Sequence, residues 1–132
     1  MYTKHKWQSE KFLNFEYIKY LPKDYDDKKE YPIVFYLHGA GERGDELDDV
    51  AKYGYLQHIR EEGKEYPFII IAPQCPKEKY WGCFTESLLA FFDWICDDLS
   101  VDESRIYLTG NSMGGTGTWM LAMWPPRINL LL

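Results

Sequence analysis

Residues 105–115, which read RIYLTGNSMGG, decide the fold. The apolar run at 106–108 predicts a buried strand, and the G-x-S-x-G pattern from Gly110 to Gly114 predicts a sharp turn into a helix, with Ser112 at the tip. Such a turn is strained and crowded, so glycine is expected two residues on either side of the serine, where a side chain would collide with the strand or the helix. The pattern therefore predicts a nucleophile elbow with Ser112 as the catalytic nucleophile.

Length, composition and charge limit the class of protein. The chain has 132 residues, 45% of them hydrophobic and 17% aromatic, which is typical of one packed domain, 1–132. The net charge is −6 and Lys and Arg do not cluster, which argues against nucleic acid and an anionic membrane as partners. No apolar run approaches the roughly 20 residues of a bilayer span, and the start, MYTKHKW, lacks the apolar core of a signal peptide. We expect a cytoplasmic protein, although a secreted protein without its leader would look the same.

The cysteines favour neither a disulfide scaffold nor a metal site. The chain has three cysteines, Cys75, Cys83 and Cys96, so at least one of them is not in a disulfide within the chain. The spacing of the first two matches no zinc pattern, and no histidine stands near them. We expect no metal and no organic cofactor.

Apolar runs alternate with helical patterns, which is typical of an α/β architecture. Right-handed crossovers make a mostly parallel twisted sheet with flanking helices the simplest topology. We expect the N-terminal residues, His5 among them, to be mobile. The predicted strands lie around 13–20 and at 33–37, 68–72 and 105–109. The first predicted helix, 45–62, ends at Gly63, and the second, 86–99, has Thr85 as its N-cap. The third runs from 113 to the prolines at 125 and 126.

The loop after the first central strand supplies the partners of Ser112. A serine that attacks a carbonyl needs a base for its proton and N–H donors for the oxyanion. The Met113 amide begins a helix, where N–H groups have no partner within the helix. The Ala40 amide lies between Gly39 and Gly41, which let the backbone turn that N–H inward.

The charged and imidazole groups of this loop have more ordinary interpretations. We expect His38 to brace the loop rather than to act as the base, and His58 to face solvent from the first helix. Glu42 and Arg43 are expected to pair with each other or with neighbours and to shape the loop.

Segments 38–44, HGAGERG, and 105–115 together resemble the α/β-hydrolase superfamily, and within it the phospholipase/carboxylesterase group and related esterases. YLPKDY at 20–25 and APQCP at 72–76 are similar to that group as well, and the resemblance extends to about residue 124. It implies that Ser112 is the nucleophile and that Ala40 and Met113 supply the oxyanion-hole amides. It also implies substrate binding by Gly39, Gly41 and Trp81, with Trp81 near the acyl or alcohol pocket.

The residues after Ser112 depart from that group. Residues 113–132 contain no His, Asp or Glu, whereas the family carries its acid and base after the nucleophile. We interpret the chain as a partial α/β-hydrolase fold that lacks the C-terminal strands, with no position matching the acid or the base. The strand at 105–109 would then have a bare edge, and bare edges promote association, so we expect a homo-oligomer through it.

The leading hypothesis is a serine esterase that acts on small-molecule esters, short-acyl or aryl, through an acyl-enzyme on Ser112. Its base would come from a partner subunit or be replaced by a water. The alternative is an impaired esterase remnant that folds and associates, or binds small acyl ligands, without turnover. A peptidase or a thioesterase would share the same elbow.

Overall fold

The structure, a computed structural model, describes residues 1–121 and the backbone of 129–131. The strands that they form are β1 (Tyr2–Trp7), β2 (Phe15–Tyr20), β3 (Tyr31–Leu37), β4 (Ile69–Pro73), β5 (Val101–Gly110) and β6 (Asn129–Leu131). The helices are α1 (Gly54–Glu62), α2 (Thr85–Asp98) and α3 (Met113–Leu121), with short 3-10 helices at Ala40–Glu42, Leu47–Ala51 and Trp81–Phe84.

All six strands form one sheet in the order β1-β2-β4-β3-β5-β6. The β2 strand pairs antiparallel with β1 and β4, while β3 pairs parallel with β4 and β5, and β5 pairs parallel with β6. The predicted α/β class, a mostly parallel sheet with flanking helices, is confirmed. Because β3 and β5 run parallel side by side, the loops that follow them emerge at the same edge of the sheet.

Strand β4 shows why the sheet is covered on both faces. Ile69 and Ile71 point into the larger core, which α2 and α3 cover, while Ile70 and Ala72 point into a smaller core beneath α1. Successive residues of a strand alternate between faces, so a continuous apolar run is what a doubly covered strand requires. Among the described residues no helix is long and apolar enough to cross a membrane.

The helices differ from expectation mainly at their ends. The predicted helix at 45–62 is two helices, a 3-10 turn at Leu47–Ala51 and then α1, because Gly54 takes a φ of 70°. Gly63 ends α1 in the left-handed region with φ 66°, as predicted for a C-cap. Thr85 is the first residue of α2 rather than its N-cap, a position that Phe84 occupies. The prolines at 125 and 126 lie outside the described residues.

The prediction of a mobile N-terminus is wrong, because residues 2–7 form the edge strand β1. His5 pairs with Tyr17 of β2, and the two rings stack with centroids 5.4 Å apart. Trp7, at the end of β1, is 8% exposed and belongs to the larger core. A buried tryptophan anchors the strand, and the intervening lysines suit an exposed edge.

The prediction of a bare edge on β5 is wrong over Tyr107–Thr109. There β6 pairs parallel with β5, from Asn129 to Leu131. The apolar residues Leu130 and Leu131 are compatible with a strand, and the pairing of β6 satisfies backbone groups of β5 that would otherwise lack a partner strand.

Candidate active site

Ser112 lies at the tip of a tight turn between β5 and α3. Its φ is 54°, in the left-handed region that residues other than glycine rarely adopt, and its side chain is exposed. A non-glycine residue held there carries strain of about 1–3 kcal/mol, and such strain clusters at functional sites. The turn thus presents the Ser112 hydroxyl to solvent at the carboxyl end of β5.

The two glycines that flank Ser112 are required by close backbone approach. A Cβ on Gly110 would lie 2.2 Å from the carbonyl carbon and oxygen of Gly114. A Cβ on Gly114 would lie 1.7 Å from the backbone oxygen of Leu37 in β3. No side chain fits at either position, so these glycines let α3 begin directly against β3 and β5.

The loop after β3 packs against this turn. Leu37 is the register partner of Gly110, and the Asn111 N–H donates to Leu37 O at 3.1 Å. A Cβ on Gly39 would lie 3.6 Å from Ser112 Cβ and 3.3 Å from Asn111 O. The parallel pairing of β3 and β5 therefore places Gly39 beside the candidate nucleophile.

Two backbone amides, in the turn and in the loop beside it, are candidate donors. Met113 is the first residue of α3, so its N–H precedes the helical hydrogen bonds, whereas the Gly114 N–H donates to Asn111 O at 2.9 Å. The carbonyl of Gly39 accepts from the Glu42 N–H at 3.3 Å. In a trans peptide the N–H lies opposite the carbonyl, so the Ala40 N–H points away from that bond.

His38 is fully buried, and both of its ring nitrogens are engaged. Nε2 accepts from the Cys75 N–H at 2.9 Å, so Nδ1 carries the proton and donates to Gly39 O at 2.6 Å. Burial lowers the pKa of His38 to about 4, with the bond to Gly39 opposing that effect and the charge of Arg43 adding to it. Neutral His38 thus has no free nitrogen for the Ser112 proton, and its contacts are those of a brace for the loop.

Trp81 lies behind the loop. Its indole N–H donates to His38 O at 3.0 Å, and only 1% of its surface is exposed. A Cβ on Gly117 of α3 would lie 2.7 Å from Trp81 Cβ. Trp81 therefore packs between α3 and the loop and does not face an open surface of the described residues, so its predicted contact with substrate stays a prediction. Gly41 is exposed at the loop tip, where a Cβ would meet nothing within 4 Å.

The other two histidines lie away from Ser112. His5 is in β1, four strand spacings from β5, or about 19 Å. His58 is half-buried in α1, which covers the face of the sheet opposite to α2 and α3. Its Nδ1 lies 3.3 Å from the Tyr66 hydroxyl. Within residues 1–121, then, no histidine is placed to take the Ser112 proton.

Sequence reasoning did not anticipate how Arg43 is used. Of the two expected pairings, Glu42 or other neighbours, the structure has the second: the Arg43 guanidinium donates to the backbone oxygens of Ala40 and Lys79. Glu42 is 5% exposed, and its backbone oxygen accepts from the Gln74 side chain. In the part of the chain that the structure describes, no three His, Cys, Asp or Glu side chains lie close enough together to hold a metal ion.

A parallel central sheet, a strained serine at the carboxyl end of one central strand and a glycine loop at the end of its neighbour define a partial α/β-hydrolase fold. Several of the proteins that this chain resembles are described as esterases, while one is described as an endo-1,4-beta-xylanase and one, by structure, as a dipeptidyl peptidase. No family model matches the chain.

Over 116 residues the chain is 35% identical to a probable feruloyl esterase C of Aspergillus clavatus, an alignment that covers 81% of this chain and 40% of the relative. A thermostable esterase superposes with a TM-score of 0.78 at 33% identity, over 96% of this chain and 38% of that structure. A CE1 ferulic acid esterase of the anaerobic fungus Anaeromyces mucronatus superposes with a TM-score of 0.71 at 20% identity, over 99% of this chain and 57% of that structure, which shows a shared fold. The chain thus spans about two fifths of the length of the first two proteins.

Proposed function

We propose that this chain acts in the hydrolysis of carboxylic esters, with Ser112 as the nucleophile. The observation that carries the proposal is the exposed Ser112, held at φ 54° between β5 and α3 with Gly39 of the loop after β3 beside it. Asp24 and Glu78 also have a positive φ, so the place of Ser112 at the carboxyl ends of two central parallel strands, together with the strain, supports a chemical role. The hydroxyl oxygen attacks the ester carbonyl carbon, its proton passes to a base, and the carbonyl oxygen becomes an oxyanion. The alcohol then leaves, and water releases the acid from the acyl-enzyme.

The oxyanion would be held by two backbone amides. The Met113 N–H at the start of α3 is the first donor, and the Ala40 N–H is the second, with the Gly39 carbonyl turned toward Glu42 and His38. Gly39 and Gly41 keep the loop free of side chains there. Losing one donor of such a pair typically lowers the rate by about 10²–10³-fold.

The base is the open part of the mechanism. His38 is engaged at both nitrogens, and His5 and His58 lie elsewhere. The proton would therefore pass to a group of a second copy of the chain or to water. Oxyanion donors and binding alone retain about 10³–10⁴-fold catalysis over water when triad members are missing, so slow turnover is physically reasonable.

We propose esters of aromatic acids as the substrate class. Two of the proteins named above are described as a feruloyl or ferulic acid esterase. Short-acyl esters such as p-nitrophenyl acetate require less recognition of the acyl group and serve as the first assay.

The test compares hydrolysis of p-nitrophenyl acetate and methyl ferulate by the protein, by Ser112→Ala and by Ser104→Ala. Ser104 is an exposed serine at the other end of β5 and is the matched control. Loss of activity in Ser112→Ala alone supports the proposal, and labelling of Ser112 by a fluorophosphonate would show that the hydroxyl is activated. Equal rates in all three proteins would mean background hydrolysis, and the chain would then be an esterase remnant without turnover.

We also propose that the chain self-associates through β6. This strand stands last in the order of the described sheet, so its outer edge is open to a second copy. Light scattering at micromolar concentration tests this, and a monodisperse monomer would count against it.

A further inference from the structure

The loop that carries Ala40 is bonded to a second loop through one side chain. Arg43 Nε donates to Ala40 O at 2.9 Å, and Arg43 Nη1 donates to Lys79 O at 2.8 Å. The backbone N–H of Arg43 also donates to Ala40 O, at 3.4 Å. One guanidinium therefore joins the tip of the loop after β3 to the segment after β4.

The far end of this link is a turn in an exposed segment, because Lys79 itself is exposed. The Lys79 N–H donates to Pro76 O at 3.3 Å, which closes the turn. The chain then enters the 3-10 helix Trp81–Phe84, in which Trp81 is buried. The carbonyl that Arg43 bonds thus lies between this turn and a helix that packs into the core.

The near end needs such a link because packing does not hold it. Ala40 and Gly41 are both exposed, and a Cβ on Gly41 would meet nothing within 4 Å. Hydrogen bonds are what fix the tip: His38 and Glu42 hold the Gly39 carbonyl, and Arg43 holds the Ala40 carbonyl. The Ala40 N–H shares a planar peptide with the Gly39 carbonyl, and the Arg43 bond restrains the next peptide and so the position of the loop tip.

We propose that Arg43 is a positioning residue for ester hydrolysis, which holds the Ala40 amide toward Ser112 by bridging Ala40 O and Lys79 O. This inference rests on the proposed function. Lysine cannot replace arginine in the role, because a guanidinium is a planar fork that directs separate N–H groups to two carbonyls, whereas an ammonium is a single point of charge. A purely electrostatic role for Arg43 would be preserved by lysine, so Arg43→Lys separates the two.

The experiment compares Arg43→Lys and Arg43→Ala with Arg60→Lys, the matched control. Arg60 also donates to a backbone carbonyl, that of Asp48 at 3.2 Å, but from α1 on the other face of the sheet. Three readouts are taken: kcat and KM for ester hydrolysis, deuterium uptake by peptides covering residues 38–46, and the midpoint of thermal unfolding.

Both Arg43 variants are expected to lower kcat by about 10- to 100-fold with KM changed less than about twofold, because a displaced donor acts on the transition state rather than on ground-state binding. In both Arg43 variants, deuterium uptake over residues 38–46 should rise and the midpoint of thermal unfolding should stay unchanged. Arg60→Lys should match the unchanged protein in all three readouts. Wild-type kcat and uptake in both Arg43 variants would overturn the proposal. Rescue of kcat by lysine alone would also overturn it, in favour of charge.

The two proposals fail in distinguishable ways. If the unchanged protein shows no turnover that depends on Ser112, the proposed function fails, yet deuterium uptake still reports whether Arg43 holds the loop. Increased uptake in the Arg43 variants would then support the positioning of Ala40, and unchanged uptake would refute it.

Discussion

Acidification from pH 7 toward pH 4 should destabilise this protein through His38. Burial lowers the pKa of His38 to about 4, from an ordinary value of 6.5. Well above pH 6.5 the His38 ring is neutral in both the folded and the unfolded chain, so its full contribution to the free energy of unfolding is present. As the pH falls from 6.5 toward 4, the unfolded chain binds a proton that the folded chain does not, and the free energy of unfolding decreases.

The size of the loss follows from the difference in pKa. A difference of about 2.5 in pKa corresponds to about 3 kcal/mol in all, of which about 2 kcal/mol is lost between pH 7 and pH 4.5. The carboxyl of Asp48 also has a lowered pKa, but its effect falls below its ordinary value of 3.8 and so outside this window. Burial lowers the pKa of His5 as well, which adds to the slope in the same window.

Urea unfolding at several pH values between 7 and 4.5, followed by tryptophan fluorescence, measures the loss. Trp7 and Trp81 are both buried and report on the core. The variant His38→Gln should be less stable at pH 7 because the Cys75 N–H loses its acceptor, but its stability should fall less with acid. The difference in the free energy of unfolding between the unchanged protein and His38→Gln should therefore narrow by about 2 kcal/mol between pH 7 and pH 4.5. The same measurement on His5→Gln gives the part of the loss that is due to His5. A gap that is constant from pH 7 to pH 4.5 would refute the assignment of a buried, neutral His38.

Three further outcomes are expected from stability and labelling measurements. Gly114→Ala should lose at least about 3 kcal/mol of stability, since its Cβ would meet a backbone oxygen at 1.7 Å. Gly115→Ala should gain about 1 kcal/mol, since its Cβ would have no contact closer than 3.8 Å. Chemical denaturation measures both, and equal effects would contradict the packing described. Ser112→Gly should gain about 1 kcal/mol by removing strain at φ 54°, and an unchanged thermal midpoint would mean that the turn is not strained. Iodoacetamide should modify exposed Cys83 well before Cys75, because Cys75 is buried and burial raises the pKa of its thiol to about 12; mass spectrometry after partial reaction reads the order.

The fold was largely predictable where long-range packing leaves a local pattern. The strands β3 and β4 are largely buried on both faces and read as continuous apolar runs, β5 contains a shorter one at 106–108, and the sequence at 85–99 has clear helical spacing. Strand β1 was not predictable in this way. It is half-exposed and only Trp7 in it is buried, so its pairing with β2, rather than its own composition, makes it a strand.

The site was predictable in its backbone framework but not in its side-chain bonds. Gly110 and Gly114 beside Ser112, and Gly39 in the loop after β3, mark close approaches that leave a signature in sequence. The bonds of Arg43 leave none, because both of its acceptors are backbone oxygens and any residue supplies one. The burial of Trp81 behind the loop likewise depends on where α3 lies, which the spacing of residues does not state.

The two parts of the G-x-S-x-G pattern carry different information about function. Gly110 and Gly114 are required because β3, β5 and α3 approach one another closely, and an inactive chain with this fold would need them equally. Ser112 is different, since its φ of 54° strains any side chain at the position and a glycine would remove that strain. At this φ serine is less stable than glycine, but it supplies a hydroxyl group. A loss of stability that accompanies a reactive group is expected at a catalytic site. The serine, rather than the glycines, is therefore the feature that supports a chemical role, and the stability gained in Ser112→Gly measures how much is given up for it.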